Sequence, residues 1–188
     1  HRISEDIDIV SPKILDYKKI IPIMTSIGAK KVDDENIMSL RLAGLFPDEY
    51  ILKFILDDVK IEFFFANRPI QKEILKELTF TNYENSNLKI LDLKLIVSLK
   101  LVALFQRDKS RDLFDFGSIL DNDIMTINEI LCIAKESKNI NSKEDLRNFI
   151  SNKKEAKNDE AVYLDETNRL DLSFEDIKQQ VLNKINNY

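Results

Sequence analysis

Residues 1–10, "HRISEDIDIV", place two carboxylates one residue apart in a run that otherwise reads as a strand. Ile3, Ile7 and Ile9 fall on one side and Ser4, Asp6 and Asp8 on the other, the period of two that a half-buried strand requires. Asp6 and Asp8 therefore share a face, roughly 6–7 Å apart at the backbone. At that spacing the two side chains can converge on one divalent ion or bracket two. Like charges this close raise one carboxyl pKa unless a cation neutralises them. The plainer alternative is the solvated outer face of an edge strand, and both stay open on this stretch alone.

A third acid bears on the choice. Glu62 lies in "VKIEFFF", residues 59–65, among Val59, Ile61, Phe63, Phe64 and Phe65. Lys60, Glu62 and Phe64 share one face of that strand. An acid among phenylalanines must be paired, hydrogen-bonded or metal-bound, because burying a free charge is expensive. If this strand pairs beside the first, Glu62 joins Asp6 and Asp8 at one ion. If it does not, a salt bridge to a core lysine serves instead.

Composition narrows the chemistry. The chain has 188 residues, one cysteine and one histidine, with a formal net charge of −5. A single histidine and a single thiol exclude clustered His or Cys metal ligands within one chain. Catalysis is expected to run on carboxylates, lysines, arginines, tyrosines or a metal held by oxygens. Cys132, inside "EILCIA", reads as a small core residue. No apolar run approaches the roughly 18 residues of a membrane span. No charged leader followed by an apolar segment and cleavage site is visible, so the cytoplasm is the expected setting.

The pattern between the acids predicts the rest of the front part. "ILDYKKIIPIMTSIGAK" reads as a helix interrupted or ended near Pro22, with Gly28 as a stop. "IMSLRLAGLF", "EYILKFILD" and "VKIEFFF" read as three strands of an antiparallel meander, turned at Pro47-Asp48 and Asp57-Asp58. "NLKILD" can add a short strand.

"LDLKLIVSLKLVALFQRDKS" differs in kind. It is apolar nearly all round and free of Gly and Pro, the pattern of a buried helix. It also opens a basic segment: Lys94, Lys100, Arg107, Lys109 and Arg111 stand against one acid, Asp108. Lys100 either snorkels to the surface or points at an anion in a cleft. Arg107, seven residues on, shares its face. Ser110 can cap a following helix, on which Asp112 and Asp115 lie at i and i+3, with Arg111 placed to pair with Asp115. Spacing alone allows either a structural ion-pair network between two helices or a functional one. From Asp121 onward only charged, Asn-rich helical segments follow: "TINEILCIAKES", "SKEDLRNFISNKKEA" and "SFEDIKQQVLNKINNY".

Together, "HRISEDIDIV", "VKIEFF" and "LKLVALFQRDKSRDLFDF" resemble the AbiEii/AbiGii toxin family of the polymerase-β-like nucleotidyltransferase superfamily. The family pattern is an Arg-X-Ser-X-Asp-[Ile/Leu]-Asp strand, a Lys-X-Asp/Glu strand, a helix lysine and an Arg-Asp-X-X-Asp helix, and all four occur here in that order over about the first 120 residues. The resemblance implies an α+β fold with a small mixed sheet backed by helices. It implies a nucleotidyltransferase core over 1–120, and the change in composition at Asp121 suggests a helical region over 121–188. It implies transfer of a nucleoside monophosphate from a nucleoside triphosphate to RNA, including tRNA, or another acceptor, as the toxin of a type IV toxin–antitoxin pair with a cognate antitoxin protein. Mg²⁺ or Mn²⁺ would be held by Asp6, Asp8 and Glu62. Lys100 and Asp112 would complete the catalytic set, with Arg2, Ser4, Lys60, Arg107, Arg111 and Asp115 binding substrate. The superfamily also places a Gly-Gly-Ser/Thr motif upstream of the paired aspartates to hold the triphosphate. The sequence opens at His1, so that motif is expected to be missing from it. A second reading follows: a degenerate member that keeps the fold and binds nucleotide, RNA or a protein without transfer. Phosphodiester hydrolysis on the same carboxylates is a third.

Overall fold

A computed structural model of the chain describes residues 6–76, 78–157, 159, 162, 164 and 170–188. Two compact units divide it, one ending at Lys72 and one running from Glu73 to Tyr188. The architecture is α+β, with a small mixed sheet and a helical remainder.

The first unit contains β1 (Asp6–Ser11), α1 (Tyr17–Ser26), β2 (Lys30–Val32), α2 (Glu35–Leu42), β3 (Ile51–Leu56) and β4 (Val59–Phe65). The strands lie in the order β1-β4-β3-β2. β2, β3 and β4 pair antiparallel, and β1 pairs parallel to β4. Alternation decides which side is buried. Leu52, Phe54 and Ile61 form the core with Leu15, Met24 and Ala29, and Ile9, Ile20, Ile21, Phe63 and Phe65 pack against it. The intervening positions, including Asp6, Asp8, Lys53, Lys60 and Glu62, face the other way.

α1 passes through Pro22 rather than ending there. Pro22 removes the bond to the Lys18 carbonyl, but both residues lie on the exposed side, where water can satisfy that oxygen. The chain turns after α1 at Gly28, whose φ of 92° is left-handed. Asp57 and Asp58 join β3 to β4 with φ of 47° and 64°. Two successive left-handed residues make the type I′ turn that suits the twist of a two-stranded hairpin.

One element differs from the sequence expectation. "IMSLRLAGLF", read as a strand, is mostly α2. The Asp34 side chain accepts a hydrogen bond from the Ile37 amide at 2.9 Å, an N-cap that commits the segment to helix. Leu40, Arg41 and Leu42 are good helix formers, so propensity reinforces the cap. The antiparallel meander is completed instead by the short β2.

α3 (Pro69–Ile74) carries the chain into the second unit, which continues with β5 (Phe80–Asn82), β6 (Lys89–Leu91), α4 (Leu93–Leu104), α5 (Ser110–Asp121), α6 (Ile127–Lys138), α7 (Lys143–Ser151) and α8 (Phe174–Asn187). "NLKILD" does supply a strand, β6, but it pairs with β5 in a separate ribbon. α4 buries Val97, Ser98, Leu101, Val102 and Leu104 and packs on α5 and α6. α5 packs on α8, where Gly117 lets Val181 approach. Thr126 and Ser173 begin α6 and α8 with capping boxes, and Ser142 caps α7. Cys132 is exposed, not in the core. The buried stripe of α6 is Ile130, Ile133 and Ala134, which leaves position 132 on the outer side. Among the described residues, no helix is long and apolar enough to cross a membrane.

Candidate functional site

In the first unit the parallel register sets Asp6 opposite Lys60 and Asp8 opposite Glu62. The condition under which Glu62 joins the aspartates is thus met: β4 is the neighbour of β1. One carboxylate oxygen from each of Asp6, Asp8 and Glu62 lies within 4.8 Å of the others. Asp6 and Glu62 are half-buried and Asp8 is exposed, so the cluster opens to solvent on one side. Three convergent oxygen donors of this kind suit a small hard cation such as Mg²⁺ or Mn²⁺, which favours carboxylates and retains positions for water and phosphate.

Two lysines complete this face. Lys60 Nζ stands 2.9 Å from Glu62 Oε2 and 3.5 Å from Asp6 Oδ2. Burial pulls the Lys60 pKa down, but the hydrogen bond and charge of Glu62, aided by Asp6, outweigh it and leave the ammonium above its ordinary value. Lys53, opposite Glu62 on β3, reaches Glu62 Oε1 at 3.4 Å and Asp34 Oδ2 at 2.5 Å. A lysine salt bridge, the alternative raised for Glu62, is therefore also present, but from a lysine on the face opposite the core rather than in it. Lys53 and Asp34 were not singled out in the sequence. The signal was available in "ILKFIL", where Lys53 alternates with Leu52 and Phe54 and so falls on the face opposite the core. The Lys53 hydrogen bond, followed by the Ile37 amide, holds the Asp34 carboxyl below its usual range. Asp33 is likewise lowered, chiefly by Arg41. Arg41 and Lys31 both bridge Asp33 to the buried Asp48, pinning α2 to the turn that precedes β3.

The other sequence-derived residues lie in the second unit. Lys100 of α4 donates to Asp115 Oδ2 of α5 at 2.5 Å, and Asp115 is 2% exposed. Arg107, in the loop after α4, grips the buried Asp112 in two-pronged fashion, Nε to Oδ2 at 2.7 Å and Nη2 to Oδ1 at 2.9 Å. Planar guanidinium and carboxylate match in that geometry, and the pairing is stronger than a single ion contact. Arg111 is half-buried on the first turn of α5. Arg2 and Ser4 lie outside the described residues.

Two further groups brace this loop. Lys153, buried just beyond α7, donates to the Arg107 carbonyl and to Asp108 Oδ1, both at 2.8 Å. Its burial lowers the ammonium pKa despite Asp108. The apolar stripe Leu146–Ile150 extends to position 153 at helical spacing, which marked that position as inward-facing. Ser110 does not cap α5 as expected. It is the first residue of the helix, and its amide and hydroxyl donate to the Asp159 carboxylate at 3.0 and 2.5 Å. An acid at a helix N-terminus also answers the helix dipole. No local pattern links residue 159 to residue 110.

The family model described as nucleotidyl transferase AbiEii toxin, type IV TA system, matches residues 1–181. None of the curated proteins matches the chain. Among solved structures, one described as "putative nucleotidyltransferase from H. pylori" is 16% identical, with 99% of this chain and 78% of that one covered and a TM-score of 0.45. The structure of JHP933 from Helicobacter pylori is 17% identical, with 99% and 75% covered and the same TM-score of 0.45. Since the family model spans the sheet, the carboxylate cluster and the α4–α5 ion pairs alike, the chain belongs to the AbiEii nucleotidyltransferase toxin family of type IV toxin–antitoxin systems.

Proposed function

We propose that the chain moves a nucleoside monophosphate from a nucleoside triphosphate to RNA, such as a tRNA, or to another hydroxyl-bearing acceptor, and that it needs Mg²⁺ or Mn²⁺ to do so. The observation that carries this reading is the three-carboxylate cluster of Asp6, Asp8 and Glu62 on paired strands. Family membership supports it, and supports a cognate antitoxin as partner. The cytoplasm, where triphosphate and RNA are abundant, is the proposed setting.

In the reaction the acceptor hydroxyl oxygen forms a bond to the α-phosphorus and gives up its proton to water, the bond from that phosphorus to the bridging oxygen breaks, and pyrophosphate leaves with the electron pair. Asp6, Asp8 and Glu62 would hold the divalent ion, which would supply charge neutralisation and a more acidic attacking hydroxyl. The residues of the chain do the positioning. Asp6, Asp8 and Glu62 fix the cation-binding oxygens on a rigid sheet. Lys53 holds Glu62 from β3. Lys60 offers positive charge to phosphate beside the carboxylates, and within the second unit Lys100, Arg107 and Arg111 offer positive charge to nucleotide. Asp115 and Asp112 orient the Lys100 and Arg107 side chains. Such positioning is the main protein contribution to phosphoryl chemistry.

The test is transfer of labelled nucleotide from each of the four nucleoside triphosphates to total RNA, with and without Mg²⁺. Metal-dependent labelling that is lost in Asp6→Ala and Asp8→Ala supports the reading. Labelling that ignores both substitutions sinks it. Nucleotide binding by calorimetry without any transfer would instead identify a binding protein on the same fold, and release of monophosphate rather than pyrophosphate would identify a hydrolase.

A further inference from the structure

Glu62 is held from two sides by two lysines, and the two are not equivalent. Lys53 Nζ faces Oε1 at 3.4 Å and Lys60 Nζ faces Oε2 at 2.9 Å. Lys53 has a second anchor, Asp34 at 2.5 Å, and Asp34 is itself tied to the start of α2. Its side chain is 15% exposed. Lys60 has a side chain 45% exposed and stands one residue beyond the first of β4, beside the Asp57–Asp58 turn. Its ammonium reaches Asp6 Oδ2 at 3.5 Å while touching Glu62. It thus bridges two of the three carboxylates from different strands, as a bound cation would.

A lysine ammonium is a compact charge on a flexible stem, well hydrated when it leaves a partner. A small divalent ion demands ligand oxygens at about 2.0–2.1 Å. It and an ammonium cannot both sit against Glu62 Oε2 and Asp6 Oδ2 without strong mutual repulsion. Of the two lysines, only the more exposed one has open solvent to move into.

We propose that Lys60 is an internal counter-cation of the carboxylate cluster, that a divalent ion must displace its ammonium from Glu62 Oε2 and Asp6 Oδ2 to bind, and that Lys53 keeps hold of Glu62 Oε1 throughout. The inference rests on the reading of Asp6, Asp8 and Glu62 as a metal site. Its consequence is a set point. Without metal the three carboxylates are kept from repelling one another. With metal, affinity is weaker than the oxygen set alone would give, because each ion must displace a charge already in place.

The experiment is a titration of the full chain with Mn²⁺ alone, without nucleotide, read by electron paramagnetic resonance and calorimetry. Wild type is compared with Lys60→Met, Lys60→Gln, Lys53→Met and Asp8→Asn. The expected result is Mn²⁺ binding in wild type that is lost in Asp8→Asn and about tenfold tighter in both Lys60 variants, as removal of one competing charge at contact range implies. Lys53→Met should not show that gain. Without metal the Lys60 variants should melt below wild type, and Mg²⁺ should raise their midpoints by more than it raises that of wild type. If wild type binds Mn²⁺ through Asp8 but both Lys60 variants bind equally or more weakly, Lys60 is not a competitor and the inference falls while the metal site stands. If wild type does not bind Mn²⁺, or binds it regardless of Asp8→Asn, the metal site falls and takes the inference with it. Carrying the polar Gln variant beside Met separates loss of charge from loss of packing.

Discussion

Asp8 and Glu62 are direct partners in the parallel β1–β4 register, so acids far apart in the chain project from the same side of one sheet. Asp8 is the more exposed of the two. Asp8→Asn keeps its size and removes its charge. Nucleotidyl transfer should fall by at least about 100-fold, as loss of one electrostatic contributor at a reacting centre does. Circular dichroism should show the fold retained. A variant transferring at the wild-type rate would remove Asp8 from the reaction.

Lys100 and Asp115 offer a test that separates structure from catalysis. Asp115 is 2% exposed, and Lys100 supplies an ammonium to it. Lys100→Met should cost about 3 kcal/mol in urea unfolding, because removing one partner of a buried pair strands the other. The double change Lys100→Met with Asp115→Leu should recover most of that stability. If it also recovers transfer, Lys100 serves the helix pair only. Continued inactivity of the folded double variant places the Lys100–Asp115 pair in the reaction rather than in the helix packing alone.

Glu129 gives a pH signature in the helical unit. The Lys94 ammonium, then the amide and hydroxyl of Thr126, hold its carboxyl down from 4.5 to about 2. The unfolded chain takes up this proton near 4.5 and the native chain only near 2. The contribution is therefore complete above the higher value and is lost as pH falls through the lower one. The melting midpoint of Glu129→Gln should lie below that of wild type at neutral pH, and the gap should close as pH approaches about 2. A constant gap across that range would show that the carboxyl does not titrate as stated.

Asp34 joins a helix cap to the carboxylate face. Asp34→Ala removes the acceptor for the Ile37 amide and the partner of Lys53. Loss of the cap should cost about 1 kcal/mol in chemical unfolding. Asp34→Asn, which can still cap, should cost less. If the two variants lose equally, the Lys53 contact rather than the cap is the stabilising element.

Much of this was readable from local pattern. The period-two runs 6–10 and 59–65 marked strands and told which residues share a face. The all-apolar run from Leu93 marked a buried helix. What local pattern could not supply was pairing. Nothing near Asp8 says that Glu62 is its neighbour rather than a residue on another strand, because register belongs to two segments at once. Segment 37–46 departs from its local pattern for a related reason. Its apolar residues suit a strand, and the deciding signal was the oxygen of Asp34, three residues before the first amide it captures. Cys132 departs from the average burial of cysteine because its place around α6 lies outside the Ile130, Ile133 and Ala134 stripe. The Ser110–Asp159 bond spans 49 positions and has no sequence trace.

The Asp57–Asp58 turn acts as a gauge of length. Leu56 and Val59 are paired across it, so two residues, both left-handed, fix where β4 starts against β3. Side chains alternate from that origin. A shift of β4 by a single residue would turn Ile61 and Phe63 outward and drive Lys60 and Glu62 into the apolar layer against α1. The chemical identity of the cluster is thus written partly in a count. Glycines at 57 and 58 would preserve it and lessen backbone strain, whereas one inserted residue of any kind, with every carboxylate untouched, would dismantle the site.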